Sequence, residues 1–139
     1  MTGLVVVGLA VALALAFGLH RRATDGRARR VHQVGQATRL DATRLGHALG
    51  RSATVVQFSS ATCAPCRGTR TLLAGLAARR PGLAHVDLDA ESRLDLVEEF
   101  GITRTPTVLV LDAAGMLRHR IVGAPREPEV VGALEALAA

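Results

Sequence analysis

The sequence predicts an α/β domain built on a mixed four-stranded sheet flanked by helices, preceded by a single N-terminal transmembrane helix. Three observations carry this expectation. An uncharged apolar run extends from Thr2 to Leu19, short β-branched runs alternate with helical periods beyond Asp41, and Asp112-Ala113-Ala114-Gly115 forms a turn between two apolar segments. With 139 residues the chain has room for one domain and an appendage. The expected boundaries are 2–19 for the membrane helix, 20–40 for a basic juxtamembrane linker and 41–139 for the domain.

The run from Thr2 to Leu19 would form a helix about 27 Å long at ~1.5 Å per residue, close to the ~30 Å hydrocarbon thickness. Only the N-terminal amine precedes it, whereas Arg21, Arg22, Arg27, Arg29 and Arg30 follow. Basic flanks stay cytoplasmic, which predicts a single-pass cell-membrane protein with its N-terminus outside and its C-terminal domain in the cytoplasm. A cleaved secretory signal is the alternative, because Ala12-Leu13-Ala14 and Ala14-Leu15-Ala16 offer A-x-A-like sites. A signal peptide, however, carries its positive charge before the apolar stretch. No cysteine lies near the run, which excludes a lipoprotein anchor. Gly8, Ala12 and Ala16 form a small-xxx-small row suited to close helix approach, although so Ala-rich a sequence produces such rows by composition alone.

Charge distribution narrows the partners. All 17 basic residues are arginine, against 12 acidic ones, for a net charge of +5. Between His20 and Arg51 eight arginines face Asp25 and Asp41, a balance of +6, which leaves nine arginines against ten carboxylates, or −1, in the rest. The basicity therefore belongs to the stretch beside the membrane helix and not to the folded body. That argues against a nucleic-acid partner, which would call for charge on the domain face together with aromatics or a recognition helix. The juxtamembrane arginines either lie against anionic headgroups or serve only to set topology.

Within the domain, Leu45, Ala48 and Leu49 give a short leading helix over Asp41–Gly50. Thr54–Ser59 reads as a buried strand, and the Cys63-Ala64-Pro65-Cys66 turn follows at once. The next helix has an apolar face of Leu72, Leu73, Leu76 and Ala77 opposite Arg67, Arg70 and Arg79, and Pro81-Gly82 stops it. Leu83–Leu88 is a second strand and Leu94–Phe100 a helix ended by Gly101. Thr107–Leu111 and Met116–Val122 flank the Asp112–Gly115 turn as an antiparallel hairpin, and a last helix covers Glu127–Leu137. A crossover between parallel strands, then a helix, a hairpin and a closing helix, yields one sheet covered on both faces.

The chemistry is concentrated in Cys63 and Cys66, the only two cysteines. Residues three apart at a helix start share a face, so the sulfurs can meet in a short-loop disulfide. Cys63 would sit where unpaired N–H groups and the positive end of the helix dipole favour thiolate. Cys66, one turn further in, would be more buried and held as the thiol. Pro65 lies in the first turn, where its missing N–H costs little. This arrangement assigns Cys63 as nucleophile on a substrate disulfide and Cys66 as the resolving thiol.

The run Val55–Arg67, VVQFSSATCAPCR, resembles the active-site strand and loop of the thioredoxin family. Phe100–Thr107, FGITRTPT, is similar to that family's cis-proline segment, and Ile121-Val122-Gly123-Ala124 to the end of its last strand. The resemblance covers about Asp41 to Ala139 and implies a thioredoxin-like fold. It also implies that Thr105 and Pro106 dock substrate, with Thr105 offering backbone groups to an extended chain. X-Pro bonds alone adopt cis at low cost, and a proline is tolerated at a strand start, where a trans bond would be the plain alternative.

The sequence departs from the family at several places. Thr62 stands where the family has tryptophan, and Ala64 replaces the glycine between the cysteines. Gln57 occupies the position of a buried carboxylate, and His85 corresponds to the lysine that pairs with it. Gln57 cannot act as a base, so deprotonation of Cys66 would fall to water, His85 or the departing thiolate. Ala64, Pro65 and Gln57 are thus supporting residues. His20, His32, His47 and His119 show no metal-ligand spacing and read as surface residues, and Asp87 and Asp89 as ordinary strand alternation. No phosphate loop, zinc-protease helix motif or nucleophile elbow is present, so neither cofactor nor metal is expected.

These readings lead to a membrane-tethered thiol–disulfide oxidoreductase acting on protein disulfides and drawing on an electron donor the sequence does not identify. Cytosolic exposure would favour reduction. A Cu(I) carrier using the same two thiolates is the alternative, although Met1 and Met116 are the only methionines available to complete such a site. A redox-inert binding scaffold is the third, and two intact cysteines argue against it.

Overall fold

In the computed structural model, which describes residues 1–31 and 39–139, the apolar run forms helix α1 (Thr2–Thr24). Every large apolar side chain from Leu4 to Leu19 is more than half exposed, and none of the helix is buried against the domain. At ~1.5 Å per residue its 23 residues extend about 34 Å, enough by length and composition to cross a bilayer. A signal sequence has the same properties.

The expected linker is in part regular structure. Residues 20–24 continue α1, and Ala28–Arg30 form a strand, β1, paired antiparallel with the last strand of the sheet. Residues 32–38, which include His32 and the middle of that stretch, lie outside the described residues. β1 escaped the sequence pattern because an edge strand contributes backbone hydrogen bonds and tolerates charged side chains, so Ala-Arg-Arg shows no apolar alternation.

Helix α2 (Ala42–Leu45) is shorter than its periodicity implied. Asp41 caps it, its carboxylate accepting from the Arg44 N–H at 2.9 Å, and Gly46 ends it at φ +74°, a conformation that a side chain would disfavour. β2 (Ala53–Ser59), α3 (Ala64–Arg79), β3 (Leu83–Asp89), α4 (Leu94–Glu99), β4 (Thr107–Asp112), β5 (Leu117–Val122) and α5 (Glu127–Ala138) follow as expected, within one or two residues.

The strand order is β1-β5-β4-β2-β3. The four expected strands form the body of the sheet, and β1 is added at its edge. β2 pairs parallel with β3 and antiparallel with β4, and β4 pairs antiparallel with β5. All seven residues of β2 are buried, so its two faces feed two cores. Val56 and Phe58 pack with Leu96, Phe100, Leu109 and Leu40 on the α2 and α4 side. Ala53 and Val55 pack with Leu73, Leu76, Val108, Val130 and Leu134 under α3 and α5. A register shift between Val110 and Leu111 lets Leu117 join the first core while Ile121 joins the second.

His119, expected at the surface, is instead only 7% exposed, and its Nδ1 has no hydrogen-bond partner among the described residues. It faces inward on β5 opposite Val110. Scattered spacing along the chain could not reveal this, because burial there depends on β1 and α5 covering the sheet edge.

Phe58 is fully buried in the first core. Phe58→Ala is expected to lower stability by about 3–5 kcal/mol, read as a reduced urea midpoint with an unchanged slope.

Candidate active site

The site is assembled at the carboxyl end of β2. Past Ser59 the chain turns, and the Cys63 N–H donates to the Ser60 carbonyl at 3.2 Å. Cys63 is the N-cap of α3, in extended conformation, and Pro65 lies in the helix's first turn. Cys63 and Cys66 form a disulfide with their Cα atoms 5.5 Å apart. Cys63 is partly exposed and Cys66 buried, so only the first sulfur is open to a partner. Ala64 and Pro65, between them, are exposed. The N-terminal end of a 16-residue helix offers Cys63 its free N–H groups and positive dipole, which stabilise a thiolate once the disulfide is opened.

Beneath the cysteines lies a polar network whose bond directions are determined by its chemistry. Gln57 is fully buried. Its Nε2 donates to the Cys66 carbonyl at 2.9 Å, and a carbonyl can only accept, so the amide orientation is decided. The same Nε2 donates to Ser59 Oγ at 2.8 Å, which directs the Ser59 proton to Asp87 Oδ1 at 2.6 Å. Asp87 Oδ2 accepts from Arg70 Nε on α3 at 2.5 Å. Gln57 Oε1 faces His85 Nε2 at 3.3 Å, and since the amide oxygen accepts, His85 carries its proton on Nε2. Burial lowers the His85 pKa, with Arg70 adding to the effect and Asp87 opposing it.

The facing wall is the loop before β4. The Thr105–Pro106 bond is cis, and Pro106 is buried. Thr105 Oγ1 lies 3.2 Å from Ser60 Oγ, which ties this loop to the turn that carries Cys63. The Pro106 carbonyl accepts from the Gly123 N–H at 2.8 Å, and Thr107 Oγ1 donates to the Arg104 carbonyl at 2.7 Å. Arg104 in turn pairs with Asp25 at 2.9 Å, at the end of α1.

The structure therefore brings together Cys63, Ala64, Pro65, Cys66, Gln57 and Thr105-Pro106. It also brings His85 to Gln57. Ser59, Asp87 and Arg70 went unrecognised in the sequence. The parallel register that sets Asp87 opposite Gln57 was the missing information, because Asp87 by itself is one more alternating strand residue. His20 and His47 are exposed and take part in none of these contacts.

A family profile described as Thioredoxin matches residues 43–136. The chain is 34% identical over 70 residues to putative thioredoxin H10 of Arabidopsis thaliana, covering 50% of this chain and 45% of that protein. It is 34% identical over 73 residues to thioredoxin H2 of the same plant, covering 52% and 54%. The chain thus spans about half the length of the curated relatives it matches. Among solved structures, the oxidised mitochondrial thioredoxin 3 from Saccharomyces cerevisiae superimposes with a TM-score of 0.55 at 23% identity, over 62% of this chain and 79% of that one. Thioredoxin f from spinach chloroplast gives 0.57 at 22%, over 65% and 80%. At these identities the likeness is one of fold.

His85 and His119 both hold pKa values lowered by burial, His119 with Arg30 contributing. As the pH falls below the ordinary histidine value of about 6.5, the unfolded chain takes up protons that the folded one resists, so stability rises with pH across that window. The urea midpoint is expected to drop on acidification from about pH 7 to 5, and His85→Asn to flatten that dependence.

Proposed function

The chain belongs to the thioredoxin family, and from that premise we propose that it is a membrane-tethered thiol–disulfide oxidoreductase acting on protein disulfides. The observation that carries the reading is the Cys63–Cys66 pair at the start of α3, facing the cis Thr105–Pro106 loop. In the reduced form the Cys63 thiolate attacks one sulfur of a substrate disulfide, forming a mixed disulfide and releasing the first substrate thiolate. The Cys66 thiolate then attacks Cys63 Sγ. The second substrate thiolate leaves, the Cys63–Cys66 disulfide forms, and two electrons have passed to the substrate. Thr105 and Pro106 receive the extended substrate segment, with backbone pairing to Thr105 supplying orientation.

Ala64 and Pro65 start the helix, and Gln57 anchors it through the Cys66 carbonyl. That anchoring has a chemical consequence. Gln57 has no site for a proton, the Nε2 of His85 is already a donor to it, and Asp87 is engaged by Ser59 and Arg70. His85 keeps a lone pair on Nδ1, but burial lowers its basicity, so the Cys66 proton leaves chiefly with water or with the departing substrate thiolate, which makes resolution the slow step. Thr62 stands at the rim where the family resemblance implies a tryptophan, and its smaller side chain opens access to Cys63.

Helix α1 serves as the anchor, with the arginines that follow it on the cytoplasmic side, which places the domain in a reducing compartment and gives the reaction its reductive direction. Electrons come from a cellular dithiol donor. An export-dependent reporter fused at the C-terminus is expected to stay inactive, and its activity would overturn the cytoplasmic assignment.

Cys66→Ser is expected to accumulate a mixed disulfide through Cys63 that thiols release, and Cys63→Ser to form none. No adduct, together with no disulfide reduction by the parent chain, would overturn the enzyme reading. Gln57→Asp supplies a carboxylate beside Cys66 and is expected to speed resolution by about 100-fold, the low end of what a positioned base contributes, measured as decay of the mixed disulfide in stopped flow.

A further inference from the structure

The junction between α1 and the domain is not a free tether. Asp25 follows the helix directly, its carboxylate pairs with Arg104 at 2.9 Å, and the Gly26 N–H donates to the Val122 carbonyl at 2.9 Å. Gly26 stands at φ +75°, where a Cβ would collide with the Ala124 carbonyl, and Gly123 at φ +90°, where it would collide with the Arg104 guanidinium and touch Asp25 and Gly26, so the two segments are in close contact here. β1 then pairs with β5, Ala28 opposite Ile121 and Arg30 opposite His119.

Strand direction decides which end of the sheet this is. β1 runs antiparallel to β5, so the chain enters beside the last residues of β5. Those residues pair with the first residues of β4, Thr107 opposite Val122, and Thr107 pairs with Phe58 near the end of β2. The anchor thus joins the sheet at the end that carries Cys63 and Pro106. Its contacts form a continuous path from Asp25 to Arg104, along the loop to Thr105, and from Thr105 Oγ1 to Ser60 Oγ in the cysteine turn.

Depth follows from helix geometry. Leu19 is the last large apolar residue of α1, and the six residues from there to Asp25 rise about 9 Å at ~1.5 Å each. The polar layer of one leaflet is roughly 5–8 Å thick, so Asp25 and the loop bound to it lie at its outer edge. Arg21, Arg22 and Arg27, exposed on either side of the junction in the chain, match the charge of anionic headgroups, while the charge of Arg104 is taken up by Asp25.

From this geometry we infer that the active-site end of the domain faces the bilayer surface and that the substrates are disulfides of membrane proteins, carried in segments next to their spans. The inference rests on α1 being a retained membrane span, and it adds to that reading an orientation and a substrate class. The opposite end of the sheet, the Asp112–Gly115 turn, would point away from the membrane by the length of β4, about 20 Å at ~3.4 Å per residue.

The chain contains no tryptophan or tyrosine, so one introduced tryptophan reports alone. Thr62→Trp and Ala113→Trp, both at exposed positions, place it at the two ends of the domain. The full chain is reconstituted into phosphatidylcholine/phosphatidylglycerol vesicles carrying a nitroxide-headgroup lipid. Thr62→Trp is expected to lose most of its emission while Ala113→Trp keeps its own, and a flexible Gly-Ser insertion between Asp25 and Gly26 is expected to abolish the difference. As the chemical counterpart, the reduced parent chain is given a phospholipid with a pyridyl disulfide on its headgroup. Cys63 attacks, pyridine-2-thione leaves, and Cys66 resolves the lipid mixed disulfide to a lipid thiol. The parent is expected to react faster with this lipid than the insertion variant does, while both react equally with the same disulfide free in solution. Equal quenching at both positions, or stronger quenching at Ala113→Trp, overturns the inference even if the chain floats with the vesicles. Failure to float overturns the anchor itself and is a separate result.

Discussion

β2 is buried along its whole length and paired on both sides, and the position of every functional group depends on its register. A slip of one residue would exchange the strand's two faces, putting Gln57 among Leu96 and Leu109 and Phe58 under the cysteines. The apolar demand of two cores therefore enforces the register. Once it is enforced, β3 must present His85 and Asp87 to the same face as Gln57, and β4 must start at Thr107 opposite Phe58, which leaves Pro106 just before it, beside the turn that carries Cys63.

The polar cluster under α3 shows how a missing carboxylate is accommodated. Gln57 is a neutral residue in a buried position, and its amide is satisfied at both ends, so it incurs little of the cost of an unpaired buried group. The negative charge of the cluster sits one strand over on Asp87, where Arg70 from α3 reaches it and solvent has partial access. The network holds the first turn of α3 to the sheet and so keeps the two sulfurs in place. It supplies position rather than a proton acceptor, which separates structural support from acid–base chemistry at this site.

At the other edge, backbone pairing likewise joins the N-terminal helix to the domain. β1 is only three residues long, yet it converts the chain after α1 from a tether into part of the sheet. The Arg104–Asp25 pair is part exposed, and such pairs alone contribute little. Its importance is geometric, because it joins the helix end to the loop that carries the cis-proline, and the strand pairing holds that geometry.

The sequence by itself determined the apolar helix, the order of strands and helices from β2 to α5, and the cysteine pair at a helix start, because each rests on local patterns: charge-free length, alternation, and Cys-x-Pro-Cys spacing. It also marked Pro106 as the opening residue of a strand. What it left open were properties of pairing between distant segments. The strand β1, the burial of His119, the role of Asp87 opposite Gln57, and the attachment of Asp25 to Arg104 all depend on which strand lies beside which, and in what direction. Their side chains carry no periodic signature, since an edge strand of Ala-Arg-Arg or a lone aspartate in an alternating run looks the same wherever it pairs. Only the tertiary structure supplies the partner, and with it the end of the sheet at which α1 meets the cysteine pair.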